Sequence, residues 1–199
     1  VPSFAAELDQ TLTVEGLGAL TVDTAYGGDS FVVVDAEALG LSLVEDEAHQ
    51  IARLGVKITD AVNEQLRFHH PENPDWTHFS FCLFAGPVTR GPDGLESTAA
   101  VAIQPRKVAR SPTGTALSGR MALLHARGEM AVGEMMTVRS VIGSTFSGII
   151  LKTATVGETP AIIPEISGRA WITGVHEHML DPDDPWPEGY RLSDTWGAR

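Results

Sequence analysis

Helix is scarce in this chain and strand-like sequence is plentiful, and that imbalance limits the fold more than any other feature. Only two stretches carry helical periodicity. In residues 45–67, Ile51, Leu54, Ile58, Val62 and Leu66 fall on one face, with Glu45, Asp46 and Glu47 complementing the positive end. An apolar stripe of that length needs a sheet to cover it. Residues 11–15 and 19–24 alternate as two short strands about the Gly16-Leu17-Gly18 turn, and 31–35 makes a third. Further strands are predicted at 78–85, 97–104, 135–141, 148–156 and 169–179, each rich in β-branched or aromatic residues, with a turn-rich excursion at 87–94. The second helix is predicted from about 114 to 127, with Leu117, Met121 and Leu124 at helical spacing, a modest core face, and Gly128 just past its end. Several strands follow one another with no helix between them. The expected fold class is therefore α/β, with a mixed, largely antiparallel sheet curved around a central helix. The tail, 181–199, carries Pro182, Pro185 and Pro187 and is expected to lie extended over another surface.

With 199 residues, 43% of them hydrophobic, the chain can bury one substantial core. A formal net charge of -12 argues against nucleic-acid binding, which needs clustered Lys and Arg. A small anionic ligand is still compatible with it, because local backbone dipoles can oppose the global charge. No apolar run is long enough to span a bilayer, and the first residues lack a basic region followed by an apolar stretch. The expectation is a cytoplasmic protein without membrane contact. The one cysteine, Cys82, excludes an internal disulfide and offers no metal cluster. Between Phe81 and Leu83 it reads as a small buried hydrophobe rather than a nucleophile.

The run from Arg110 through Ser111-Pro112-Thr113-Gly114-Thr115 to Ala122 reads as a loop opening a helix with an unobstructed N-terminus. Pro112 stiffens the approach, Thr113 and Thr115 are candidate caps, and Gly114 lets a ligand approach N–H groups that lack an intrahelical partner. Taken alone, such a turn caps a helix or holds a carboxylate or phosphate.

That run resembles the second-lobe signature of the proline racemase family, which includes proline racemases, hydroxyproline 2-epimerases and trans-3-hydroxy-L-proline dehydratases. The similarity extends through Asp23-Thr24-Ala25-Tyr26-Gly27-Gly28, Phe31, Val34-Asp35-Ala36, Ile142-Gly143-Ser144-Thr145-Phe146-Ser147-Gly148, Ile163-Pro164-Glu165-Ile166-Ser167-Gly168 and Ala170-Trp171-Ile172-Thr173-Gly174. The resemblance implies one lobe of the diaminopimelate epimerase-like fold over residues 1–199. It also implies a missing first lobe with its own cysteine, and a protein nearly twice as long. In the racemases and epimerases, a cysteine stands where this chain has Thr113, and two thiols face opposite sides of the substrate Cα. A thiol, with a free pKa of about 8.5 that a helix N-terminus lowers, can act as a base near neutral pH, and a threonine hydroxyl cannot. Elimination needs only the first lobe's cysteine. The Cys-plus-Thr pairing is similar to that of the dehydratases, which implies conversion of trans-3-hydroxy-L-proline to pyrroline-2-carboxylate with no metal or organic cofactor.

On the same resemblance, the N–H groups of Gly114 and Thr115 hold the substrate carboxylate, and Thr113 meets the departing hydroxyl. Relatives carry an aspartate for the ring nitrogen where this chain has Ala109, leaving Asp23 or Asp29 as candidate replacements, against a buried turn-capping role for either. His70, in His69-His70-Pro71-Glu72, is a candidate ligand for the ring hydroxyl, against the plainer reading of a solvated loop histidine. His176 and His178 share a strand face without a third metal ligand. Two other functions stay open: a hydroxyproline epimerase or proline racemase, and a non-catalytic partial chain or inactive homologue. The implied partners are a small imino acid and the first lobe. Trp171, Trp186 and Trp196, if they pack on that lobe, would otherwise leave an apolar patch that a homodimer could cover.

Overall fold

The computed structural model describes residues 1–189. Residues 1–169 form one compact unit and hold all the helices and strands among them. The strands are β1 (Phe4–Val14), β2 (Gly18–Tyr26), β3 (Ser30–Asp35), β4 (Phe81–Ala85), β5 (Thr89–Gly91), β6 (Gly94–Ile103), β7 (Lys107–Val108), β8 (Met135–Arg139), β9 (Thr145–Val156) and β10 (Thr159–Gly168). The helices are α1 (Ala48–Gln65) and α2 (Gly114–Ala126). No helix among the described residues is long and apolar enough to cross a membrane.

All ten strands join one sheet, ordered β1-β2-β3-β4-β6-β8-β9-β10, with β5 and β7 added along β6. Every pairing is antiparallel except β3–β4 and β6–β8. A parallel pair needs a long crossover, and each helix supplies one, α1 between β3 and β4 and α2 between β7 and β8. The two ends of the sheet are tied by an isolated bridge in which Ser3 and Ile162 exchange both backbone hydrogen bonds, at 2.9 and 2.8 Å. The sheet thus curves around α2, which touches β1, β2, β9 and β10, while α1 lies against β4 and β6.

Alternation along the central strands feeds two cores. Val32, Val34, Cys82 and Phe84 join Ile51, Leu54, Ile58 and Val62 of α1, whereas Phe31, Val33, Leu83 and Ala85 join Leu117, Met121, Leu123 and Leu124 of α2. Strands buried on both faces read as continuous apolar runs, as Phe31–Val34 does. Burial of Cys82 pushes its thiol well above the ordinary range, in keeping with a packing role.

The core face of α2 is not modest, as its spacing led us to expect. The helix is buried nearly all round, including Ala116, Ser118, Gly119 and Ala122, so no single face carries the periodicity. It lies close on β2 because small residues meet there: a Cβ on Gly27 would stand 2.0 Å from the Thr115 carbonyl oxygen and 2.6 Å from the Gly119 nitrogen. The Gly27-Gly28 turn therefore serves helix packing.

Other expectations need correction. β1 starts at Phe4, well before residue 11, and register shifts between Ala5 and Glu7 and between Glu7 and Gln10 break its alternation. α1 starts at Ala48, because 45–47 form a 3-10 turn in which the Glu47 carboxylate accepts the Ser42 N–H at 2.9 Å. The turn-rich excursion includes β5, a three-residue strand. The closing strand is β10, and residues 170–180 make no strand. Within the segment from Ala170, Asp184 N–H closes a turn on Asp181 O at 3.1 Å, and Gly189 N–H another on Trp186 O at 2.8 Å. The remainder of the expected tail, with Trp196, lies outside the described residues.

Candidate active site

The loop between β7 and α2 is fixed before the helix begins. Ala109 N–H donates to Val101 O at 2.9 Å, and Ser144 Oγ, on the β8–β9 turn, donates to Arg110 O at 2.9 Å. Ser144 Oγ also bonds Ser140 Oγ at 2.8 Å, so this turn braces the loop from outside. Thr113 N–H then donates to Ser111 Oγ at 3.3 Å. Helical bonding starts with Leu117 N–H to Thr113 O at 2.9 Å.

Thr113 occupies the cap position with φ +64° and ψ +110°, a conformation costly for a β-branched residue. Its side chain does not cap the helix. Oγ1 is buried and has no hydrogen-bond partner among the described residues. An unpaired buried hydroxyl costs about 1–3 kcal/mol, so strain and a missing bond coincide at one residue. The amides of Gly114, Thr115 and Ala116, the first three helical positions, have no intrahelical acceptor, and the Thr113 side chain does not supply one. A Cβ on Gly114 would meet only Ile166 Cγ2, at 3.6 Å, so space remains beside these donors. Ser118 is not a competing nucleophile, because its Oγ donates back to Gly114 O at 2.9 Å. Thr115 presents its Cγ2 to the Gly28 turn, where an added Cβ would stand at 3.0 Å, so its contribution to a ligand is its amide.

The structure brings Thr113, Gly114 and Thr115 together and leaves Asp23 apart from them. Asp23 Oδ1 accepts from Arg127 at 2.7 Å and from Asp9 N–H at 2.9 Å. Arg127 follows the last turn of α2, about 20 Å from Thr113 at 1.5 Å per residue. Asp23 is therefore corrected from a ligand for a ring nitrogen to an ion-pair partner. Asp9 completes the group, and the Arg127 hydrogen bond holds its carboxyl below the ordinary range. A cavity of about 650 Å³ opens at this end, lined by Asp9, Asp23, Asp35, Glu37, Arg120 and Arg127 among others. Burial pulls the Arg120 guanidinium below its ordinary range, with Asp23 foremost among the carboxylates opposing it, and its Nε is buried and unpaired. Four carboxylates against two guanidinium groups make this cavity a poor host for a carboxylate, whatever its size.

His70 belongs to an aromatic cluster. Its Nδ1 accepts the Glu72 N–H at 3.2 Å, and its ring stands edge-on to Tyr26 at 4.6 Å and to Phe4 at 5.6 Å. No hydrogen bond or ring contact joins it to α2, which leaves the plainer loop role as the one with contacts. Nearby, Trp76 Nε1 donates to Ser30 Oγ at 2.9 Å and stacks on His78 at 5.7 Å. His176 and His178 have ring centroids 6.3 Å apart, and no group of three metal-ligating side chains is formed among the described residues. The left-handed backbone of Thr113 was not foreseeable, since threonine is disfavoured there. The Arg127 cluster joins residues more than 100 positions apart.

The model of the proline racemase family matches residues 1–191. Among solved structures, the chain is similar to a probable proline racemase from Agrobacterium radiobacter K84 with bound carbonate, at 34% identity and a TM-score of 0.82. It is also similar to a hydroxyproline epimerase from Agrobacterium vitis with bound trans-4-OH-L-proline, at 35% identity and a TM-score of 0.82. Both matches cover 100% of this chain, and it spans 57% and 56% of theirs. The match of the family model over residues 1–191, with 34% and 35% identity to these two structures across the whole chain, places this chain in the proline racemase family.

Proposed function

We propose that this chain is the second lobe of a two-lobed enzyme that dehydrates trans-3-hydroxy-L-proline to pyrroline-2-carboxylate. The observation that carries the proposal is Thr113, at the mouth of an anion-ready helix end, with a buried hydroxyl that none of the described residues satisfies. A threonine there can donate a hydrogen bond but cannot act as a thiolate-like base.

In this mechanism the Gly114 and Thr115 amides hold the substrate carboxylate. The first lobe's cysteine thiolate removes the Cα proton, and that electron pair forms the double bond to the adjacent ring carbon as the C–O bond breaks. The hydroxyl leaves hydrogen-bonded to Thr113 and is protonated to water, and the cysteine thiol gives up the proton taken from Cα to replace it, so that the thiolate is restored and the net loss is one water. The resulting enamine tautomerises to the cyclic imine. Negative charge grows on the carboxylate as Cα is deprotonated, which strengthens its bonds to the helix amides. One preorganised donor of this kind is worth about 10²–10³ in rate.

Epimerisation is the second reading, favoured by the 35% identity to a hydroxyproline epimerase. The deciding experiment treats trans-3-hydroxy-L-proline with the protein carrying both lobes, in deuterated solvent. Cyclic imine without Cα-inverted substrate supports dehydration. Inverted, Cα-deuterated substrate without imine would sink it in favour of the epimerase.

A further inference from the structure

We infer that Ser144 is a positioning residue for the candidate site: its hydroxyl holds the Arg110 carbonyl, and through it the backbone conformation that keeps Thr113 and the first amides of α2 open to a ligand. The inference rests on the assignment of the α2 N-terminus as the carboxylate site.

A β-branched residue stays at positive φ only where its surroundings leave it no alternative. On the helix side Thr113 is fixed through its own carbonyl, which accepts Leu117 N–H at 2.9 Å. On the loop side Pro112 is buried, and its ring locks its φ. Thr113 can therefore relax only if the chain before Pro112 moves. Two hydrogen bonds tie that stretch to other parts of the fold: Ala109 N–H to Val101 O on β6, and Ser144 Oγ to Arg110 O, both at 2.9 Å. The Ser144 bond is the last hold before the chain turns, because the next one, Thr113 N–H to Ser111 Oγ, stays within the loop.

The turn that carries Ser144 is itself closed. Between β8 and β9, Ser140 N–H donates to Ser144 O at 2.8 Å and Gly143 N–H to Ser140 O at 2.9 Å. A serine hydroxyl has one proton to give. Ser144 gives its proton to Arg110 O, so in the 2.8 Å contact between the two hydroxyls Ser140 is the donor. Ser140 is 4% exposed, which keeps water from competing at that end. The result is a chain of one direction, from Ser140 to Ser144 to the Arg110 carbonyl. Without it, a ligand would have to restore the strained form of Thr113 on binding, and preorganisation of that kind is read as affinity rather than as stability.

The test uses the protein carrying both lobes, with threonine isotope-labelled, as parent, Ser144→Ala and Ser144→Thr. Backbone coupling constants of Thr113 report its φ with no ligand present, and calorimetry gives the affinity for pyrrole-2-carboxylate, a planar mimic of the deprotonated substrate. In Ser144→Ala, Thr113 is expected to leave positive φ and the affinity to fall about tenfold, in line with the strain released. The melting temperature should stay within about 2 °C of the parent's, since released strain offsets the lost hydrogen bond. Ser144→Thr keeps a hydroxyl at the position and should recover both readouts. An unchanged Thr113 φ in Ser144→Ala would overturn the inference, as would an unchanged affinity once Thr113 has relaxed. A lower melting temperature with both readouts unmoved would make the bond purely structural and overturn it equally. Gly114→Val tests the carboxylate site separately: undiminished pyrrole-2-carboxylate binding in that variant defeats the helix-amide site, whereas the φ of Thr113 in the unliganded protein reports on Ser144 alone.

Discussion

At its C-terminal end α2 hands over to Arg127, whose guanidinium is shared by Asp9 and Asp23; at its N-terminal end it starts on Thr113, whose hydroxyl has no partner among the described residues. The first end has a cavity of about 650 Å³ lined by four carboxylates and two guanidinium groups. The second has a strained backbone, three open amides and little side-chain bulk. Charge that is already paired holds a fold together, whereas donors left unpaired at a cost are available to a ligand. Cavity size and open amides therefore point to opposite ends of the helix.

The contrast can be broken at either end. The largest effect should come from Gly114→Val, which puts a branched side chain into the open space beside the amides. Affinity for pyrrole-2-carboxylate should fall by about 100-fold, the loss of two charge-assisted bonds, while the melting temperature changes little. Thr113→Val should come next. It removes a hydroxyl that the fold does not use, so stability should equal or exceed the parent's, while the rate of imine formation drops about 10–100-fold. A destabilised variant of full activity would show that the hydroxyl serves folding.

Arg127→Met should do the reverse. We expect the melting temperature to fall by about 3–6 °C, with ligand affinity unchanged; a matching loss of affinity would mean that the two ends are not separate. The smallest effect is on pH dependence. Arg127 depresses the Asp9 carboxyl in the folded state, so its contribution is present above the unfolded value near pH 4 and lost as pH falls through the folded one. Acid melts between pH 5 and 3 should therefore be steeper for the parent than for Arg127→Met, and equal slopes would contradict this.

Regular structure was legible in the sequence where local patterning and burial agree. The stripe Ile51, Leu54, Ile58 and Val62 marked α1 because one face meets a sheet, and Phe31–Val34 marked a buried strand. The start of β1 was hidden by Glu7, Asp9 and Gln10 on an irregular edge, where Asp9 takes φ +55°. β10 carries Pro160 and Pro164, the latter at a register shift, whereas 169–179 alternates in sequence without forming a strand. At the site, Pro112-Thr113-Gly114 announced a helix start, but nothing local tells a threonine at a positive φ from an ordinary cap. Asp23 misled because its partner, Arg127, lies 104 residues away.

The proposed division of α2 into a ligand end and a structural end can be tested in one titration. Pyrrole-2-carboxylate added to isotope-labelled protein should shift the backbone amides of Gly114, Thr115 and Ala116, with those of Gly27, Gly28 and Asp29 following. Asp9, Asp23, Arg120 and Arg127 should stay in place. Shifts concentrated at those four residues, with the first turn of α2 silent, would put the ligand in the acidic cavity and contradict the account.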